Sequence, residues 1–264
     1  MVAVIIENRW SWGRQITLAI GLFLVFNALS MYLYNAALLD YTIAEFGFAL
    51  LSFAITFWAL KSTKVFTRRL SMTRPLIIWG LIALVMLVIV FIFAQVPQHI
   101  VMVFQAKHFL VNTLIALSAA IFEESICRGL FLSAFLVHAE YNSRTYKMTR
   151  SAVYSSFLFG VFHLVNLMGN NPAAVFEQIF WAFVLGVFFS ALRFTTNSLW
   201  WGILLHFLLD WFPSAGLKSG ITATSWGIIL AVFAPLLVAS IIYLVKADQA
   251  YESRVAHGAV QVDS

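Results

Sequence analysis

Long apolar stretches, broken only by short polar segments, set the pattern of this chain. Runs long enough to cross about 30 Å of hydrocarbon fall near 16–35, 43–60, 76–96, 110–138, 151–168, 174–192, 197–212 and 224–245. They predict an all-α, polytopic membrane bundle of about eight transmembrane helices, built as a single integral membrane domain over 1–264. The fourth run is too long for one straight crossing, so part of it projects beyond the bilayer or tilts. The fifth and seventh are near the lower limit for a span. Trp200, Trp201 and Trp211 bracket the seventh, as interfacial tryptophans do. Short helices within a bundle leave room for a water-filled funnel. The first run follows Arg9 and Arg14 and exceeds the 7–15 residue core of a signal peptide, so it is expected to remain as an uncleaved span.

Composition agrees: 62% of the residues are hydrophobic and 10% charged, where a soluble domain keeps about 25% charged. The net charge of +5 is explained by where the bases fall. With the N-terminus in the cytoplasm and alternating spans, thirteen of the sixteen Lys and Arg lie on inner segments. The outer loops hold Lys107 and Lys218, and Arg128 lies within the membrane. This positive-inside bias places both termini in the cytoplasm. It makes the bases topology signals beside anionic headgroups, and no nucleic-acid motif accompanies them. The single cysteine, Cys127, excludes an internal disulfide and any multi-cysteine metal site. Residues 247–264 read as a polar, mobile cytoplasmic tail, and 1–107 carry no chemical motif. Nothing in the sequence sets an oligomeric state.

Six ionisable side chains sit well inside the spans: Glu123, Glu124 and Arg128 in the fourth, His163 in the fifth, His206 and Asp210 in the seventh. A charge at the bilayer centre costs roughly 2.5–3.5 kcal/mol even on a gentle scale, so such groups face one another or a wet cavity. His138, Glu45 and Glu177 lie nearer helix ends and read as interfacial anchors. At 1.5 Å per residue, Glu123 lies about 20 Å below the outer surface, and His163 and His206 about 18 and 14 Å above the inner one. In a core about 30 Å thick, three helices therefore bring polar groups to one level. Glu124 and Arg128 share a helix face and can neutralise each other. Glu123 points about 100° away, towards another helix. His206 and Asp210 share a face, as do Phe159 and His163. A carboxylate and two imidazoles from different helices can hold a water, take its proton and donate to a developing oxyanion.

Other chemistries lack their residues. There is no HExxH, no G-x-S-x-G elbow, and no second membrane aspartate to pair with Asp210. Ser125 suits a bond to a helix carbonyl, and Cys127 a packing role. A purely helix-locking cluster would leave Glu123 unmatched. A proton-coupled carrier would show repeated halves or broken helices, whereas these residues occupy the second half only. A non-proteolytic scaffold or immunity protein with the same residues differs from an enzyme only in turnover.

"EESICR" fits EExxxR, "FGVFH" fits FxxxH and "HFLLD" fits HxxxN/D. In this order on separate helices they resemble the CPBP family, the CAAX-protease and bacteriocin-processing (Abi) intramembrane proteases, over roughly 108–212. The resemblance implies an endopeptidase acting on a membrane-associated or lipidated peptide or protein, which enters laterally or from the cytoplasm. It implies Glu123 as general base with His163, His206 and Asp210 at the oxyanion, and Glu124 and Arg128 holding the helix in register. The eukaryotic CAAX proteases carry asparagine where Asp210 stands, and an ionised aspartate cannot donate to an oxyanion. Either Asp210 is protonated, as a desolvated carboxyl can be, or it orients and charges His206; the second arrangement is favoured, and it counts against a prenyl-CAAX substrate. Metal-free catalysis is favoured, although Glu123, His163 and His206 also form a two-histidine, one-carboxylate set that zinc accepts. The bacterial branch of the family implies a multi-pass protein of a bacterial cytoplasmic membrane.

Overall fold

A computed structural model describes residues 5–6, 9–142, 144–215 and 222–262, with side chains as far as 256. Ten α-helices follow in order: α1 (Trp12–Tyr32), α2 (Leu38–Leu60), α3 (Arg74–Phe93), α4 (Val96–Gln105), α5 (Phe109–Glu124), α6 (Leu132–Tyr141), α7 (Lys147–Phe162), α8 (Pro172–Thr196), α9 (Trp200–Asp210) and α10 (Trp226–Val262). A π-helical segment, Ser125–Phe131, joins α5 to α6, and a 3₁₀ turn, His163–Met168, follows α7. The fold is all-helical; extended pairing among the described residues is one bridge, Ile5 to Phe66.

The breaks follow local chemistry. Prolines open α3, α4 and α8, where their missing N–H costs nothing. Asn171 caps α8 by accepting from the Ala173 N–H at 2.9 Å. Lys61 and Asn197 end α2 and α8 in the left-handed conformation. The lipid-facing side is apolar, as on α3, where Ile77, Leu81, Leu84, Val88 and Ile92 are all exposed. The core gathers around the π segment (Phe122, Ile126, Phe131, Phe159, Ile203) and along α8, the most buried of the long helices.

Among the described residues, seven helices are long and apolar enough to cross a membrane, counting Phe109–Tyr141 and Lys147–Met168 each as one. The expected seventh run differs. Its helix, α9, has 11 residues, about 16 Å, because Asn197 turns the chain before it and Trp211 ends it. Both ends of this region are tied down. Asn197 Oδ1 accepts from the Val65 and Phe66 N–H groups at 2.7 and 3.0 Å, and its amide donates to the Phe66 carbonyl. Trp211 donates to Thr113 Oγ1 at 3.0 Å, and Asn112 Oδ1 accepts from Ser214 and Ala215. Residues 197–215 thus run from the loop after α2 to the start of α5. The outer loop assumed around Lys107 contains α4, a short helix unforeseen in the apolar pattern. Lys218 lies outside the described residues. N-terminal to α1, Arg9 donates to Ser133 Oγ at 2.6 Å and to the Lys64 carbonyl; burial lowers its guanidinium to about 10.

The expected mobile tail is helical as far as Val262. Its order comes from a distant partner. The α7 start has no cap of its own, with Tyr146 in the left-handed region. Asp248 on α10 supplies one, accepting from the Met148 and Thr149 N–H groups at 2.8 and 2.9 Å and from the Thr149 hydroxyl at 2.7 Å. Glu252 accepts from the Tyr146 N–H at 3.1 Å. Asp248→Ala is expected to cost about 2 kcal/mol, the upper range for a lost cap, read as a lower unfolding midpoint in detergent. An unchanged midpoint would make the contact energetically idle.

Candidate active site

The site begins where α5 gives way to the π segment, directly after Glu123 and Glu124. Such widened turns within α-helices recur at functional sites. Here the Ser125 hydroxyl donates to the Ile121 carbonyl at 2.5 Å, and the Cys127 carbonyl accepts from Ser155 of α7 at 2.6 Å. Both bonds hold the irregular turn against its neighbours.

Glu124 is fully buried and joins two helices. Its Oε1 lies 3.0 Å from Arg128 Nη1 and 3.0 Å from His206 Nδ1. Sequence spacing pairs Glu124 with Arg128 alone; the structure makes it also the acceptor for His206 on α9. Gly202 permits that approach, since a Cβ there would stand 2.8 Å from Glu124 Oε2. Behind the pair, the Arg128 guanidinium lies 4.3 Å from the Phe159 ring centre and 5.3 Å from that of Phe189. Both faces give cation–π contact. Gly186 lets α8 close over it: a Cβ there would meet Arg128 Nη2 at 3.1 Å.

The other His206 nitrogen, Nε2, lies 3.3 Å from Asp210 Oδ2 and 3.6 Å from Glu123 Oε2. Each ring nitrogen therefore faces a carboxylate, while Phe189 stacks against the ring at 5.9 Å. His163 stands at the junction of α7 and its 3₁₀ turn, not within a continuous span helix. Its Nδ1 is 2.9 Å from the Phe159 carbonyl. A carbonyl only accepts, so Nδ1 carries the proton and Nε2 is left for a ligand.

These groups surround a cavity of about 160 Å³, lined by Glu123, His163, His206 and Asp210 together with Asn166, Gln178 and Trp181. Asn166 donates to Gln178 at 2.8 Å. A second cavity of about 340 Å³, on the side of α1 and α2, shares Glu123, His163, Phe159 and Asn166 with the first. Glu123 and His163 thus sit where the two cavities meet.

Residues 105–212 match the family model described as type II CAAX prenyl endopeptidase, Rce1-like. The match covers 108 of the 264 residues and makes this segment similar to Rce1-like CAAX-protease domains. No curated protein and no solved structure matches the chain. The Rce1-like match and the seven apolar helices among the described residues support a multi-pass membrane protein of the peptidase class.

The Rce1-like segment contains all seven residues singled out in the sequence, on α5, the π segment, α7, the 3₁₀ turn after it and α9. Two other expectations change. Glu45, read as an interfacial anchor, is 7% exposed and lines the larger cavity beside Glu123. Glu177, read likewise, accepts from the Thr224 N–H at 2.7 Å and holds the approach to α10. Phe189, Gly186 and Gly202 carried no signal in the sequence, because an aromatic or a glycine in an apolar run is ordinary there.

Proposed function

We propose that the Rce1-like domain hydrolyses peptide bonds of membrane-associated or lipidated substrates with a water activated by Glu123. The observation carrying this is that Glu123 and His163 meet at the junction of two cavities, opposite His206 with its flanking carboxylates. Water bound between Glu123 and His163 Nε2 loses a proton to Glu123, and its oxygen attacks the scissile carbonyl carbon. The carbonyl oxygen becomes an oxyanion that accepts from His206 Nε2–H. Glu123 then passes its proton to the leaving amide nitrogen as the C–N bond breaks.

Each support has a distinct part. Glu124 fixes the Nδ1–H side of His206, and Asp210 favours positive charge on the ring instead of donating to the oxyanion itself. Arg128 balances Glu124. A positioned general base contributes about 10²–10⁴-fold, and an oxyanion donor about 10²–10³-fold. The zinc set fits poorly. Among the described residues, no three His, Cys, Asp or Glu side chains are grouped closely enough to hold a metal ion. No step is therefore assigned to a metal.

Taking residues 197–215 as a crossing puts both termini in the cytoplasm, in line with the thirteen inner bases, in a bacterial cytoplasmic membrane. The test is cleavage of amphipathic and C-terminally lipidated peptides by detergent-purified protein in ¹⁸O-water. One ¹⁸O is expected in each new C-terminal carboxyl group. Intact peptides throughout, or products without label, would remove this function.

A further inference from the structure

The larger cavity has a feature that peptide hydrolysis does not use. Its walls are aromatic, with Phe26 stacked on Phe122 at 4.2 Å and Phe23 on Phe162 at 3.8 Å. At one end stands Glu45, a carboxylate 7% exposed in the bundle interior. Ser30 of α1 donates to its Oε1 at 2.6 Å, and the Tyr41 hydroxyl, one turn earlier on α2, bonds to it as well. Among the described residues lining this cavity there is no Lys or Arg. Glu45 thus has, among the described residues, hydroxyl donors and no cation, although buried carboxylates are ordinarily paired with one.

We infer that Glu45 is a specificity-determining residue, which receives a cationic side chain of the substrate while the aromatic walls hold the adjoining apolar residues. This rests on the hydrolytic function proposed above. Glu45 lies seven residues into α2 and Glu123 fourteen into α5. With both helices entering from the same side, the levels differ by about 10 Å, about three residues of extended peptide. A Lys or Arg some three residues from the scissile bond reaches Glu45 when its carbonyl is at Glu123. An acidic side chain there is repelled. A charge-assisted bond in a dry site is strong enough to shift selectivity by about tenfold or more.

The experiment uses the full chain in detergent and a cleaved peptide in which Lys, norleucine or Glu is placed in turn at each position within four residues of the cut. In the wild type, one position is expected to favour Lys over norleucine about tenfold in kcat/KM and to disfavour Glu. Glu45→Gln should bring the Lys-to-norleucine ratio close to one, and Glu45→Lys should reverse the preference towards Glu. A merely structural role would lower all rates together and leave the ratios unchanged. Equal rates for Lys and norleucine at every position in the wild type would overturn the assignment without any variant. So would a Lys preference that survives Glu45→Gln. Cleavage of no peptide would instead overturn the hydrolytic function on which the assignment stands.

Discussion

Glu123→Gln is expected to abolish peptide cleavage while leaving the fold intact. The amide keeps the shape and volume of the carboxylate but cannot take a proton from water. The expected fall in kcat is about 10³-fold or more, within the range a general base supplies. The Glu123 side chain is 28% exposed, towards the cavities, and its nearest charged neighbour is His206 Nε2 at 3.6 Å. Stability should therefore stay within about 0.5 kcal/mol of wild type, as for substitutions away from packed or fully paired groups. Paired cleavage and unfolding measurements check both halves. Addition of a strong zinc chelator is expected to leave the wild-type rate unchanged. Loss to chelator with recovery on adding zinc would put a metal where the water-only mechanism has none. Undiminished turnover by Glu123→Gln would end that mechanism.

Hydropathy reveals the helices that face lipid, because a spanning helix must be apolar over its whole lipid-facing length. It fails where protein replaces lipid. Residues 197–212 look like a full crossing, yet only 11 of them form α9, since Asn197 and Asn112 tie the flanking backbone to other segments. Order in the polar tail is invisible for a similar reason: the partners of Asp248 are about a hundred residues away. The π segment leaves no composition signal at all. For the site, ionisable residues at one depth on three helices are conspicuous because lipid penalises them. Which carboxylate meets which imidazole is a matter of helix rotation and approach. Glu124 already has a partner four residues on, so its second contact, with His206, could not be anticipated. Glu45 sits near a helix end in sequence but beneath Ser30 and Tyr41 in space.

Loss of the Glu124 carboxylate has the largest expected effect on stability. Glu124→Gln leaves the Arg128 guanidinium, 1% exposed, without its counter-charge between two phenyl rings. Breaking a buried pair from one side costs about 3–5 kcal/mol, because the surviving charge is uncompensated. The double variant Glu124→Gln/Arg128→Met removes that charge too and fills its volume, so it should unfold at a higher denaturant midpoint than Glu124→Gln alone. Activity separates the two roles of Glu124. If it served only to hold Arg128 and the helix register, the double variant would regain cleavage along with stability. With Glu124 also fixing His206 through Nδ1 at 3.0 Å, stability recovers while cleavage stays low. The imidazole still has Asp210 at Nε2, but it has lost the carboxylate that sets its orientation towards the oxyanion. Recovery of both would reduce Glu124 to a helix lock and leave His206 positioned by Asp210 and packing alone.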